Sequence, residues 1–287
     1  MSALSWIRMH GCGNDYVFID AFNQPVPPCP QELAQRLSDR HRSVGGDGLV
    51  LMLPSSEPDC HARMRMFNSD GSEGSLCGNA LRCMALWLHH SQLAPGRMTL
   101  EMHGRRIHAE VLRLDSLPHI SGAVRIALAP PQALSPHLPS PARFAASVEL
   151  ADFEIPGLLH QPLKADPGNP HLVLFIRQLS EVPVERLGPA LEGHTAFPNR
   201  TNVEFAELLR GNAVRVRVWE RGSGETLACG SGACAVALAG AAAGLFDPAL
   251  PIHVHMTGGQ LIVSLHADGS LQLEGPAEEC CRGLLHL

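Results

Sequence analysis

Two cysteines occupy matching settings. Cys77 follows Ser72-Glu73-Gly74-Ser75-Leu76 and precedes Gly78; Cys229 follows Gly224-Glu225-Thr226-Leu227-Ala228 and precedes Gly230. Each has a glutamate four residues before it and a glycine directly after it, and the two lie about half the chain apart. Strand-like sequence leads into each junction and an apolar, helix-like run leaves it. A helix N-terminus exposes unpaired backbone N–H groups and partial positive charge. That setting favours a thiolate, and the same N–H groups can hold a carboxylate. One such cysteine suggests a nucleophile. Two related by an internal repeat suggest a facing base and acid on a single α-carbon: one sulfur removes the proton, the other delivers one to the far side, and the centre inverts. Free cysteine is most often a packing residue, and Cys12, Cys29, Cys60, Cys83, Cys234, Cys280 and Cys281 are read that way.

The elements that must carry these residues follow from periodicity and punctuation. Strands are expected over 6–10 and 16–20 around a Gly11–Asp15 turn, with a helix over 31–40 behind Pro30. A strand over 49–53 follows, then one over 63–67 that runs into the polar loop 68–73. A helix over 80–90 opens at Cys77-Gly78-Asn79, and 98–128 reads as successive strands. The segment 130–141, rich in proline and serine, reads as a boundary between halves. Beyond it come a loop at 168–171, a strand over 172–176, a helix near 182–187, strands over 203–206 and 214–219, and a loop over 220–229. The uncharged run 227–246 consists of Ala, Gly, Ser and Cys with few large apolar groups. It reads as a helix buried within the protein rather than a membrane span. Strands over 252–255, 260–265 and 271–273 close the chain.

The stretches His10-Gly11-Cys12-Gly13-Asn14-Asp15-Tyr16-Val17, Phe67-Asn68-Ser69-Asp70-Gly71-Ser72-Glu73 with Cys77-Gly78-Asn79 and Arg82-Cys83, Gly168-Asn169-Pro170-His171, Thr201-Asn202-Val203-Glu204-Phe205, and Glu220-Arg221-Gly222-Ser223-Gly224-Glu225-Thr226 through Cys229-Gly230-Ser231-Gly232 resemble the diaminopimelate epimerases. They occur in the family's order over nearly the whole chain. The resemblance implies an α/β fold of two pseudo-symmetric domains, each a β-barrel-like sheet wrapped around a central helix, with the active site in the interdomain cleft. The domains would be 1–130 and 131–274, with the last strand, about 275–287, returning to the first. It implies epimerisation between LL- and meso-diaminopimelate, in lysine and peptidoglycan precursor synthesis, with no cofactor and no metal. Cys77 and Cys229 match the acid and base, exchanging roles with direction, and His171 and Glu220 match groups that assist their ionisation. Backbone N–H groups of Gly78, Asn79, Gly230 and Ser231 match the cradle of the reacting carboxylate. Asn14, Asn68, Asn169, Asn202, Glu220 and Arg221 match substrate-binding positions, with Arg221 pairing the distal carboxylate and Glu220 an ammonium. The chain departs from the pattern at Gly48, a substrate-binding position where some members carry a side-chain amide, and in the basic, His-rich segment 103–108.

Composition narrows the alternatives. The chain has 287 residues, 45% hydrophobic and 17% charged, with a net charge of −6. That balance suits a globular enzyme and argues against a nucleic-acid surface or a polybasic membrane segment. Nine cysteines, an odd number, and an N-terminus without a signal-type apolar core point to reduced thiols in the cytoplasm. No Cys-x-x-Cys, His-Glu-x-x-His, phosphate loop or Gly-x-Ser-x-Gly elbow is present. The partner expected is a small-molecule substrate, with a homodimer as the candidate assembly. The competing readings are a racemase or epimerase of another amino acid on the same fold, and a non-catalytic amino-acid-binding protein.

Overall fold

The computed structural model describes residues 3–74, 77–128, 145–150 and 152–286. The expected boundary at 130–141 lies outside the described residues, as do Ser75 and Leu76. The chain divides into two compact units, one of residues 1–127 and 274–287, the other of residues 128–273.

The first unit begins with a hairpin, β1 (Ala3–Gly11) and β2 (Asn14–Asp20). Its turn residues, Cys12 and Gly13, have φ values of 55° and 81°, the two positive values that a type I′ hairpin loop requires. Helix α1 (Pro30–Ser38) carries the chain over to β3 (Gly48–Leu53), which lies parallel to β2. β4 (Ala62–Asn68) pairs antiparallel with β3, and α2 (Gly78–His90) crosses to β5 (Arg97–Met102), parallel to β4. β6 (Arg105–Asp115) and β7 (Ser121–Leu128) follow as antiparallel neighbours. The chain's last strand, β16 (Leu271–His286), pairs with both β7 and β1 and closes the ring. β3 is buried along its whole length, the pattern of a strand covered on both faces. Val17, Ile19, Leu49, Leu51 and Phe67 pack under Leu33, Ala34 and Leu37 of α1. The alternate residues face inward, where α2 packs against β1, β2 and β6 and is buried from Asn79 through Leu86.

The second unit repeats this plan. After β8 (Ala145–Ser147) and β9 (Leu163–Ala165) comes β10 (His171–Ile176), antiparallel to β9. A 3-10 turn (Leu179–Glu181) and α3 (Val184–Glu192) lead to β11 (Asn202–Leu208), parallel to β10, and β12 (Ala213–Glu220) pairs antiparallel with β11. β13 (Gly224–Thr226) folds back on β12, and α4 (Gly230–Ala242) crosses to β14 (Ile252–Met256), parallel to β12. β15 (Gly259–Leu265) pairs with β14 and then with the start of β16. Parallel neighbours need a crossover, and in both units a helix supplies it. Val184, Leu187 and Leu191 of α3 cover Leu172, Leu174, Ile176, Val203 and Phe205. α4 is buried at every residue but Ser231 and Ala242, as its lack of charge requires. Its small side chains let neighbours approach closely: a Cβ on Gly240 would lie 2.2 Å from the Phe246 ring.

Three expectations shift. The helix expected near 182–187 begins later and continues through Pro189, because its buried stripe Val184, Leu187, Gly188 and Leu191 holds it against the sheet. The loop expected over 220–229 contains β13, a short return strand. The strand expected over 271–273 is the start of β16, which continues unbroken to His286.

Candidate active site

Cys77 and Cys229 are the N-cap residues of α2 and α4. Cys77 has φ −139° and ψ 107°, and its sulfur accepts from the backbone N–H of Ala80 at 3.5 Å. Cys229 has φ −126° and ψ 116°, and its sulfur accepts from Gly232 at 3.3 Å. The same extended backbone thus aims each sulfur at the free donors of its helix. The glutamates that mark the repeat are structural. Glu73 takes both oxygens to the guanidinium of Arg65, at 2.8 and 3.0 Å, and Glu225 does the same with Arg217, at 2.6 and 2.8 Å. Each clamps the segment before its cysteine onto the preceding strand, where Glu73 bridges Phe67 and Glu225 pairs with Trp219.

Around Cys77 stand a phenol and an amide. The hydroxyl of Tyr16 lies 3.5 Å from the sulfur and Asn14 Oδ1 lies 3.8 Å from it. Tyr16 is buried, and that burial, with the cysteine beside it, holds its phenol well above its usual range. Asn14 is fixed from both sides: Asn79 Nδ2 donates to its Oδ1 at 3.1 Å, and its own Nδ2 donates to Asp47 at 2.7 Å. Buried Arg82 anchors Asn79 Oδ1 at 2.6 Å, and Arg40 ties Asp47 to Asp15. Asn79 on the helix and Asn14 on β2 are thus brought together beside Cys77. Asn68 ends β4 and donates to Ser72 Oγ at 3.0 Å. Gly48 opens β3 opposite Asn68, but a Cβ there would sit 2.1 Å from the Phe67 carbonyl oxygen, so this position offers backbone only. His103 of the basic segment occupies the β5–β6 turn, with its Nε2 2.8 Å from the Gly74 carbonyl oxygen in the loop ahead of Cys77.

Around Cys229 two carboxylates stand beyond a neutral hydroxyl and a backbone N–H. Cys229 is 6% exposed, and its sulfur lies 3.4 Å from Ser231 Oγ. Burial pushes its thiol well above the usual range, and the carboxylates of Glu220 and Glu204 push it further. Burial raises the Glu220 carboxyl, whose charge acts on the cysteine, and its Oε1 accepts from Thr226 Oγ1 at 2.5 Å. His171 is wholly buried, with Nδ1 2.6 Å from Glu204 Oε1 and Nε2 3.0 Å from Asn169 Oδ1. Asn202 is spent within the fold: its Nδ2 donates to the Pro170 carbonyl at 2.9 Å and its Oδ1 accepts from the Arg221 N–H at 2.9 Å. Arg221 is exposed on the turn before β13 and donates to the Asn199 carbonyl at 2.9 Å.

Each unit therefore gathers its own expected residues around its own sulfur: Asn14, Gly78 and Asn79 about Cys77, and Glu220, Gly230 and Ser231 about Cys229. His171 joins the second set through Glu204, which it meets at 2.6 Å and which acts on Cys229. Glu204, which sequence reasoning assigned no part, is buried beneath the first turn of α4: a Cβ on Gly232 would lie 2.8 Å from its Oε1. The signal was available, an acidic residue inside the apolar strand Val203-Glu204-Phe205. Among the described residues no cluster of three or more His, Cys, Asp or Glu side chains forms a metal site, and no helix is long and apolar enough to cross a membrane. Cys29, Cys60, Cys83, Cys229, Cys280 and Cys281 are free thiols.

Comparison with known proteins agrees with the motifs. The family model for diaminopimelate epimerase matches residues 6–119 and 164–279. A diaminopimelate epimerase of Desulforudis audaxviator is 42% identical, the alignment covering 98% of both chains. One of Bacillus cytotoxicus is 36% identical over 99% of this chain and 98% of its own. Among solved structures, a phenazine biosynthesis protein of Bacillus anthracis matches with a TM-score of 0.71 at 16% identity over the full length of both chains. A hydroxyproline epimerase of Agrobacterium vitis, solved with bound trans-4-OH-L-proline, matches at 0.69 and 18%, over 99% of this chain and 93% of that one. At such identities these two show the fold alone. The family model, the full-length relatives and the paired N-cap cysteines give one answer: this chain belongs to the diaminopimelate epimerase family.

Proposed function

We propose that the protein interconverts LL- and meso-diaminopimelate by a two-base transfer in which Cys77 and Cys229 act on one α-carbon. The observation that carries this reading is the matched pair of N-cap cysteines, each with its sulfur on the free N–H groups of a buried helix. One sulfur, as thiolate, takes the α-proton, and the C–H electron pair passes into the substrate carboxylate. The other sulfur, as thiol, gives its proton to the opposite face and is left as thiolate. The two exchange roles in the reverse direction. Backbone N–H groups of Gly78, Asn79, Gly230 and Ser231 are the donors suited to the charge that builds on the carboxylate. Glu220, whose carboxylate raises the Cys229 thiol, is the group that moderates its proton, with His171 acting through Glu220. Arg221, exposed and ahead of β13, suits the distal carboxylate, and Asn14, Asn68, Asn169 and Asn202 hold the polar end groups or the loops that bear them. The substrate is a free small molecule of the cytoplasm, and the chemistry asks for no cofactor.

The test uses reduced, chelator-treated protein with LL-diaminopimelate in heavy water. The meso form should appear with one deuterium at the inverted centre. Cys77→Ala and Cys229→Ala should each lower turnover by at least about a hundredfold, the lower range for a positioned proton-transfer group. No α-exchange on diaminopimelate would overturn the substrate assignment.

A further inference from the structure

Strand register makes the two units comparable residue by residue. β2 pairs Val17 with Leu49 of β3, and β3 pairs Leu49 with Phe67 of β4. β10 pairs Leu172 with Val203 of β11, and β11 pairs Val203 with Trp219 of β12. Phe67 and Trp219 stand the same number of residues before their cysteines. Val17 and Leu172, one in each unit, therefore correspond, and both face the outer helix of their unit. The residues just before them, Tyr16 and His171, are then the same position of the repeat, turned toward the central helix. The first unit thus has a phenol where the second has an imidazole.

We propose that Tyr16 is a catalytic residue of this chain, its hydroxyl hydrogen-bonded to the Cys77 sulfur through each proton transfer. The proposal rests on the two-cysteine reading above. Its geometry is the 3.5 Å contact between the Tyr16 hydroxyl and Cys77 Sγ, made by a residue only 6% exposed. A phenylalanine would fill the ring's space equally well, and a buried hydroxyl is kept only where it has a partner. The groups that face the phenol are Cys77, the Asn14 amide and the Asp47 carboxylate. Both charges among these oppose its ionisation, so it stays a neutral donor while a neighbouring thiol titrates. Its O–H donates to the thiolate. When Cys77 takes the α-proton, an S–H bond forms from a sulfur lone pair, the C–H pair stays with the substrate, and the thiol then donates to the phenol oxygen. Tyr16 keeps its own proton throughout. Its effect belongs to Cys77 alone, whereas Cys229 answers to Glu220 and Glu204.

Tyr16 is the only tyrosine in the chain, so growth on 3-fluorotyrosine places a single fluorine label beside Cys77. In Cys229→Ala protein the fluorine resonance should shift with pH along the same midpoint as iodoacetamide alkylation of Cys77. The shift should vanish in Cys77→Ala. Tyr16→Phe should raise the alkylation midpoint of Cys77 by about one pH unit and leave that of Cys229 in place. It should lower kcat about tenfold with KM little changed, the loss expected for one hydrogen bond to a charged group. A resonance that titrates alike in Cys77→Ala, or a Cys77 midpoint unmoved by Tyr16→Phe, overturns the proposal. If Tyr16→Phe does not fold, the fluorine titration of the intact side chain decides. The thiol measurements need no substrate, so an error in the substrate assignment would appear separately, as absent turnover with the titration intact.

Discussion

A sulfur at a helix N-terminus is drawn toward thiolate by the N–H groups it faces, and a buried carboxylate beside it draws it back. Cys229 experiences both. Ser231 and the Gly232 N–H favour its ionised form, while burial, Glu220 and Glu204 oppose it more strongly, and the net displacement is upward. Glu220→Gln removes one opposing charge at nearly constant volume. The alkylation profile of Cys229, followed in a Cys77→Ala background, should therefore move to lower pH. Epimerisation by the otherwise intact enzyme should slow, because the thiol loses the carboxylate that moderates its proton. A profile that stays in place or moves upward would remove Glu220 from the electrostatics of this site.

The repeated element is a strand, a short return, an N-cap cysteine and a buried helix. Its precision comes from contacts that are far apart along the chain. The arginine–glutamate clamps hold the returns, and glycine lets the outer helix of the second unit lie flat. A Cβ on Gly188 of α3 would fall 2.5 Å from the Trp219 ring, whose Nε1 donates to Glu192 on the same helix at 2.8 Å. Gly188→Ala should cost about 1–3 kcal/mol, the usual penalty of overpacking. Chemical unfolding would measure the loss. The alkylation midpoints of Cys77 and Cys229 should hold, since α3 lies on the outer face of its sheet and the thiols belong to the inner helices.

For the molecule as a whole, ionisation sets how stability follows pH. Burial alone would raise the Asp15 carboxyl, but hydrogen bonds from Arg40 and Arg8 outweigh it and hold the group below the ordinary range. The Arg65 hydrogen bonds hold Glu73 below it against burial. Such carboxylates bind a proton less readily folded than unfolded, so their stabilisation is full above the ordinary carboxylate range and is lost as pH falls through their depressed values. Glu220 and Cys229 are raised, so their contribution is full below their ordinary values and declines as pH rises. The urea midpoint should therefore fall on both sides of neutrality. Arg40→Gln should lower it at neutral pH and flatten the acid limb, because Asp15 then keeps its burial without its strongest partner. An acid limb as steep as in the unmodified protein would remove Asp15 from the account.

Sequence alone brought forward the two junction cysteines and most of the elements under them. The repeated Glu…Cys-Gly junctions located both N-caps, uncharged composition identified α4 as a buried helix, and alternation traced most strands, because these signals are local. It left α3 too short at Pro189 and β13 as loop, since a buried stripe and a pairing strand outweighed local punctuation. Tertiary structure alone decided what surrounds each sulfur. Tyr16 reaches Cys77 from β2, Glu204 meets His171 across two parallel strands, and Gly48 is held to glycine by the carbonyl of a neighbouring strand. Those facts rest on register and burial. Pairing brings residues from distant parts of the chain within hydrogen-bond range, and exclusion of water fixes how strongly each one acts on its neighbour.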